Sequence, residues 1–352
     1  MPVLVHFIDV GQGNMALIQA GQLNVVCDCN IREDNAQRVL GEVAWLLPPS
    51  NRYIDVFINT HRDADHMAGI ERLDRAFPIR QIWDAGAAGG TTDSPEYRAY
   101  MGVRRNTVAH VLQAGQVGPL GPATIRVLHG ATEGQPDDCN RESVVFKLEH
   151  AGKSVLFAGD CDTVTWKRIV ATVPAGVLDS SVLVAPHHGA SRCLEDRPVP
   201  EVVRRPPALS LRGYGAPPVT PLSALQRMVG TTQSGGPYAG FIGTRPRTSG
   251  LTAAFVAAER AIRSAQAPHY IEHLKLIRPY VTIISVGRDN SYGHPSGEAL
   301  WLYREHSVGI PVVGLANQFI KVARTDEMGT IFLTMSDDPA ARGWSWRNPD
   351  AQ

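Results

Sequence analysis

The chain predicts a mixed α/β fold of the α+β kind, in which meandering strands alternate with amphipathic helices. Three observations carry that expectation. Short apolar runs with strand-like patterning crowd the first 190 of its 352 residues, several in direct succession. Turns such as Gly11-Gln12-Gly13 and Ala20-Gly21-Gln22 separate the earliest of them, as antiparallel meanders require and a pure βαβ repeat does not. Between the runs lie longer stretches with apolar residues three and four apart, the period of a helix with one buried face.

In chain order, strands are expected at 3–8, 15–20 and 23–27, then a helix at 33–47 and a strand at 54–59. A helix over 66–77 follows from Met67, Ile70, Leu73 and Phe77. Then come a strand at 79–83, a helix at 95–112, strands at 124–128, 143–148 and 154–158, a helix at 163–172 and a strand at 181–185. Residues 191–270 break the pattern. Prolines and glycines cluster there, only 251–266 reads as helix, and positions 190–268 hold ten arginines, no lysine and four acids, a net +6. The neutral chain must then carry −6 elsewhere, which suggests an inserted arm beside a more acidic body. A strand at 281–286, a helix at 296–305 and a strand at 330–334 complete the pattern. The expected organisation is a body of 1–190 and 271–336, an arm at 191–270 and a tail at 337–352.

Composition is that of a soluble globular protein, 43% hydrophobic and 19% charged. No apolar run reaches the roughly 18 residues a bilayer crossing needs, and the N-terminus lacks a basic-then-apolar signal layout. No membrane association is expected. Five sparse cysteines argue against a disulfide framework and for a reducing, cytoplasmic setting.

The chemistry concentrates in Thr60-His61-Arg62-Asp63-Ala64-Asp65-His66, where a strand ends and a helix begins. Four acid and imidazole groups so close repel or compete for protons unless a cation lies among them. Helix capping by Asp65 and His66 would leave His61 and Asp63 unexplained. Three more strand ends deliver polar groups onto short loops: Gly159-Asp160, His187-His188-Gly189 and Tyr292-Gly293-His294-Pro295. Gly11-Gln12-Gly13 reads as a phosphate-approaching turn or a tight hairpin. Cys27 and Cys29 read as packed apolar residues, Cys161 and Cys193 have no partner pattern, and His6, His110, His129 and His150 read as structural.

Taken in this order the motifs resemble the metallo-β-lactamase superfamily, and within it the soluble hydrolase domain of the competence protein ComEC. The resemblance spans about residues 3–190 and 278–335, from Phe7–Gly13 to Arg324–Ile331, which looks like that family's final hairpin. It implies an αββα sandwich, two mixed sheets flanked by helices, with metals at one edge. His61 and Asp63 would then serve one metal and Asp65 and His66 the other. Asp160 would bridge them, His187 would complete the second site, and His188 would face substrate. Asp28 would orient ligands from behind. This chain has Asp63 where the superfamily commonly has His, no His at 138–143, and Asn14 where the family has an acid. The hard, carboxylate-rich set favours a pair of divalent ions with Mn²⁺ ahead of Zn²⁺ and Mg²⁺.

The resemblance implies a nuclease or phosphodiesterase acting on DNA, with Asp65 as proton acceptor and His294 assisting the phosphate or leaving oxygen. Asn140, Ser143, Arg192, Arg245 and Arg247 are the candidate substrate contacts. With Arg197, Arg204, Arg205 and Arg212 the last three make an arginine surface suited to backbone phosphates. The same arm could dock a protein partner. The alternatives are a hydrolase of a small ester, lactone, thioester or cyclic nucleotide, and a metal-retaining regulatory module without turnover. DNA degradation and defence against foreign DNA are the expected settings.

Overall fold

The computed structural model describes residues 1–86, 94–131, 139–198, 269–311 and 318–338. The expected helix at 251–266 and arginines 204, 205, 212, 245 and 247 lie outside them. The strands are β1 Val3–Phe7, β2 Ala16–Ala20, β3 Leu23–Cys27, β4 Cys29–Asn30, β5 Val56–Ile58, β6 Gln81–Asp84, β7 Val108–Val111, β8 Val117–Leu120 and β9 Ala123–His129. They continue as β10 Val145–His150, β11 Lys153–Phe157, β12 Val182–Val184, β13 Val281–Ile284, β14 Ile310–Pro311, β15 Phe319–Ile320, β16 Val322–Arg324 and β17 Ile331–Met335. The helices that matter for the site are α1 Ala36–Leu46, α2 Ala64–Met67, α3 Ile70–Ala76, α4 Pro95–Arg105 and α5 Thr163–Thr172.

Two seven-stranded mixed sheets form, in the orders β17-β1-β2-β3-β5-β6-β7 and β16-β13-β12-β11-β10-β9-β8. Each joins an antiparallel half to a parallel half; β3, β5, β6 and β7 run parallel in the first sheet, and β11, β12, β13 and β16 in the second. Alternation along the strands builds the layers. Val3, Val5, Phe7, Ile18, Val25, Ile58, Val155, Phe157, Val182 and Ile283 point between the sheets into one core. Leu17, Val26 and Phe57 point outward instead, under α1, α3 and α4. On the far side Leu156, Leu183 and Ile284 pack against Trp166 and Ile169 of α5 and against the helices Glu272–Ile277 and Gly297–His306. The result is the expected αββα sandwich.

Several local expectations fail for physical reasons. The helix expected at 66–77 breaks into α2 and α3 because Gly69 adopts φ 75° and its Cα lies against Ile31; a Cβ there would sit 2.0 Å from the Ile31 carbonyl oxygen. The helix expected at 95–112 stops at Asn106, after which β7 joins the open edge of the first sheet. The edge strand β8 carries Pro119, a residue that weakens a strand pattern in sequence but is tolerated at a sheet edge. The expected terminal hairpin at 324–331 is a crossover: β16 pairs with β13 in one sheet and β17 with β1 in the other. At the root of the 199–268 segment, Glu195 and His269 form an antiparallel bridge and Tyr270 N–H donates to the Leu194 carbonyl at 2.8 Å. The chain therefore leaves the body and returns to it at neighbouring points. Among the described residues no helix is long and apolar enough to cross a membrane.

Candidate metal centre

The parallel strands of both sheets end at one edge, and every chemistry-bearing loop leaves from there. Asp28 follows β3, Thr60–His66 follow β5, Asp160 follows β11, His187 and His188 follow β12, and Ser285 follows β13. Carboxyl ends of parallel strands are where an open α/β sheet leaves backbone groups and loops free to hold a ligand.

Asp28 is the anchor. It lies in left-handed backbone, φ 57°, which turns its carboxylate back across the sheet. Its Oδ1 accepts from Thr60 N–H at 2.7 Å, and its Oδ2 accepts from Thr60 Oγ1 at 2.7 Å and from His66 Nδ1 at 2.8 Å. Each bond fixes a proton. Because Nδ1–H of His66 donates to Asp28, its Nε2 carries the lone pair. Because the Thr60 hydroxyl donates to Asp28, it accepts from His61 Nδ1 at 3.1 Å, and His61 Nε2 is free in the same sense. His188 repeats the device, with Nδ1 donating to the Ser285 carbonyl at 2.8 Å. Three imidazoles are thus held with one ring nitrogen turned inward, His188 Nε2 against Asp65 Oδ2 at 3.0 Å, as a metal requires.

These nitrogens meet Asp160. His66 Nε2 is 3.1 Å from its Oδ1, and His61 Nε2 and His188 Nε2 are each 3.8 Å from its Oδ2. His61 Nε2 also lies 3.5 Å from Asp63 Oδ2, and His188 Nε2 lies 3.0 Å from Asp65 Oδ2. Two overlapping donor sets result, His61–His66–Asp160 and Asp65–His66–His188, each with ligand atoms within 4.8 Å of one another. His61 Nε2, His66 Nε2 and Asp160 Oδ1 are buried and make no hydrogen bond. Buried polar atoms without partners are costly, and here they converge. A divalent cation satisfies all three, so the residues fit the group.

The electrostatics agree. Burial works to neutralise Asp160, yet His66, His188, His187 and His61 hold its carboxyl well below the usual range. Burial also opposes ionisation of Asp65, which His188 and His66 nonetheless hold low. Burial opposes charge on His66, but Asp160 and Asp28 raise its pKa well above 6.5. Without a cation, the carboxylates around His66 thus favour its protonated form.

Of the expected ligands, His61, Asp63, Asp65, His66 and Asp160 come together and Asp28 stands behind them. The histidine pair divides between two places. His187 and His188 both adopt left-handed backbone, φ 50° and 53°. That turn sends His188 inward to Asp65 and Asp160 and turns His187 toward the rim. There Arg192 Nη2 lies 3.1 and 2.5 Å from the two ring nitrogens of His187. His187 Nδ1 is still 3.2 Å from Asp160 Oδ2, but burial and Arg192 lower its pKa to about 4 in spite of Asp160. His188 thus joins the inner donor set, and His187, the ligand expected there, stands at its rim beside Asp160.

Ser143 also departs from expectation. It is fully buried, and its Oγ accepts from the Asp160 N–H at 3.0 Å, so it positions the Asp160 carboxylate. Asn140 lies at the site, its amide nitrogen 3.0 Å from Asp63 Oδ2 and its oxygen 3.2 Å from Arg192 when oriented by these neighbours. His294 reaches the rim, edge-on to His187 with ring centroids 5.8 Å apart, and the exposed Tyr292 stacks on it at 6.0 Å. Asn290 clamps that loop, donating to the His294 carbonyl at 2.6 Å and accepting its N–H at 3.0 Å. The Gly11–Gly13 turn serves packing: Asn14 N–H donates to the Asp65 carbonyl at 3.2 Å, and a Cβ on Gly13 would come within 2.6 Å of that oxygen. Arg62 turns away from the cluster to pair with Glu142. Sequence reading assigned no role to Cys139, whose thiol donates to Asp63 Oδ1 at 2.9 Å.

The two-sheet sandwich and its polar edge define a candidate metal centre. Residues 8–165 match the sequence model of the metallo-β-lactamase superfamily, a span that contains five of the expected ligands, and the sandwich they help to build has that superfamily's fold. No curated protein matches the sequence. Similar solved structures include the metallo-β-lactamase fold protein YhfI from Bacillus subtilis, 16% identical, covering 53% of this chain and 71% of that one with a TM-score of 0.34. A HARLDQ-motif mutant metallo-β-lactamase from Cronobacter sakazakii is 17% identical, covering 51% and 73% with a TM-score of 0.38. The CmlA β-hydroxylase E377D mutant is 10% identical, covering 94% of this chain and 53% of that one with a TM-score of 0.47. A fold does not fix a substrate, which must be argued from the site.

Proposed function

We propose that the chain is a metal-dependent phosphodiesterase that hydrolyses nucleic acid, DNA in the first instance. The observation that carries this reading is the pair of donor sets that share His66 and lie against Asp160, with Arg192, Asn140 and His294 beside them. A pair of divalent ions in such sets, Mn²⁺ or Zn²⁺, would polarise water and offset charge on phosphoryl oxygens. The protein's own groups supply the rest. Asp65, ionised and partly open to solvent, is placed to accept a proton from the attacking water. Arg192 presents a guanidinium suited to a phosphate oxygen. Burial, His188 and Arg192 lower the His294 pKa, so it is neutral at pH 7. An arriving phosphodiester would raise it again and leave a proton beside the departing oxygen. The basic segment with Arg245 and Arg247 would extend the phosphate-binding surface, and a cytoplasmic role in DNA turnover or defence follows from that substrate.

The test is cleavage of labelled single-stranded DNA, duplex DNA and RNA by the full chain with Mn²⁺, Zn²⁺, Mg²⁺ or chelator. An Asp65→Ala control runs alongside. Metal-dependent cutting lost in the variant supports the proposal. Failure to cut any nucleic acid, while the loaded protein turns over a lactone, thioester or cyclic nucleotide, overturns it.

A further inference from the structure

The two donor sets are unequal. His66 belongs to both groups but has one inward nitrogen; given to the inner side with Asp65 and His188, it leaves the outer side His61 and Asp160, with Asp63 3.5 Å from His61, three protein donors where a closed zinc site has four. His61 Nε2 is buried, unpartnered and aimed at that position. Beside Asp63 stands a sulfur. Cys139 opens the short turn Cys139–Glu142 at the edge of the site, and its Sγ lies 2.9 Å from Asp63 Oδ1. Ligands of one tetrahedral zinc stand about 3.5 Å apart, given bonds of 2.0–2.3 Å, so the thiol and the Asp63 carboxylate are near enough to share an ion.

We infer that Cys139 is the fourth ligand of the outer position, binding as a thiolate. On metal entry the proton now donated to Asp63 leaves to solvent and a sulfur lone pair forms the bond to the cation; one proton is released and no electrons change hands. The consequence is a change of preferred metal. Asp63 alone makes the outer position hard, but a thiolate beside it selects Zn²⁺ or Co²⁺ over Mn²⁺ and Mg²⁺. The inference rests on the metal-centre reading and is independent of substrate.

Titration of the metal-free full chain with Co²⁺ tests it. A near-ultraviolet sulfur-to-cobalt charge-transfer band should grow in the native protein. It should be missing in Cys139→Ser, where one equivalent of metal binds at least about 100-fold more weakly, the upper end of what an orienting partner alone is worth. A second measurement needs no variant. Cys27, Cys29, Cys161 and Cys193 are buried, and Cys139 is the more accessible thiol. Alkylation of the Cys139 peptide by iodoacetamide should slow at least about tenfold with saturating Zn²⁺, because a metal-bound sulfur is a poor nucleophile. Absence of the band in native protein, its persistence in Cys139→Ser, or alkylation unchanged by Zn²⁺ would each overturn the inference. A chain that shows the band yet cuts no DNA would sink the proposed function and leave Cys139 a ligand.

Discussion

The inner and outer donor sets meet at one carboxylate but are built differently. The inner set is pre-organised: His66 and His188 are fully enclosed, and each has its outward nitrogen locked to a fixed acceptor, Asp28 or the Ser285 carbonyl. The outer set is looser. Asp63 has about a third of its side chain exposed (36%) and is held by Cys139 and Asn140 from a separate turn, 76 residues further along the chain. Burial acts to raise the Asp63 pKa, but His61 and the Cys139 thiol beside it keep the carboxyl below its ordinary value. Pre-organisation lowers the entropic cost of binding, so the inner position should fill first and exchange more slowly.

The change expected to erase that difference altogether is Asp160→Asn. Asp160 faces all four imidazoles, so both positions lose their shared anion. Turnover should fall by about 10³-fold or more, as for loss of a central catalytic group, and bound metal by elemental analysis should drop from two equivalents to below one. Retention of both equivalents would show that the two sets do not share this carboxylate.

The histidine pair sharpens the comparison. His188→Ala should remove the inner ion at ordinary concentrations and cost at least about 100-fold in activity, more than an orienting partner is worth. His187→Ala should cost less than about tenfold, because its ring is engaged by Arg192 at the rim. Equal losses, read by metal titration and by kcat, would mean that His187 swings inward when the ions are present.

One step smaller is Asp28→Asn. It keeps the shape but lets the His66 ring reorient, and should weaken the inner ion by about 10–100-fold and the outer ion less, because Asp28 reaches His61 only through Thr60. Uniform weakening of both would place Asp28 under the whole centre.

The metal-free protein offers a subtler test through pH. His66 and His188 have raised pKa values, so their contribution to stability is complete below about pH 6.5 and is lost as pH climbs through the folded-state values. Asp160 and Asp65 are lowered, so theirs is present above about pH 4 and lost only in acid. The Tm of chelated protein should therefore fall by a few degrees between pH 6.5 and 9. The loaded protein should keep its Tm over that range, since the ions replace the protons. A flat profile in the chelated protein would mean that the imidazoles are neutral there.

The ligands of the Thr60–His66 turn were legible in the sequence for both sets, and the reason is distance along the chain. Thr60–His66 carries its ligands within one strand-to-helix turn, and Asp160 and the His-His pair end apolar strands, so local pattern finds them. Which of His187 and His188 points inward depends on two successive left-handed residues, and no hydrophobic period records a positive φ. Cys139 meets Asp63 only because β10 brings its turn to the edge where β5 ends, a tertiary event with no local signature. Ser143 misled for the opposite reason, since a serine beside a catalytic edge reads as a contact until the sheet buries it. The same contrast holds for the fold. Central strands were legible from alternation, while β7 and β8, at opposite sheet edges, are half-exposed or carry proline, and were missed.

Ser143→Ala is the smallest of these changes and separates the two roles a buried hydroxyl can have. Its Oγ accepts from the Asp160 N–H, and Gly159, at φ 54°, packs so closely on the same residue that a Cβ there would stand 3.0 Å from Ser143. Alanine keeps the packing and leaves one buried N–H without its partner, a cost of about 1–3 kcal/mol in stability. Because Asp160 faces both donor sets, both ions should loosen slightly and together, by less than about tenfold, the lower end of an orienting partner's worth. The KM for an oligonucleotide should not move. A rise in KM with unchanged metal affinity and unchanged Tm would return Ser143 to the substrate surface, and with it the idea that the edge of the site opens deeper between the sheets than its buried hydroxyl allows.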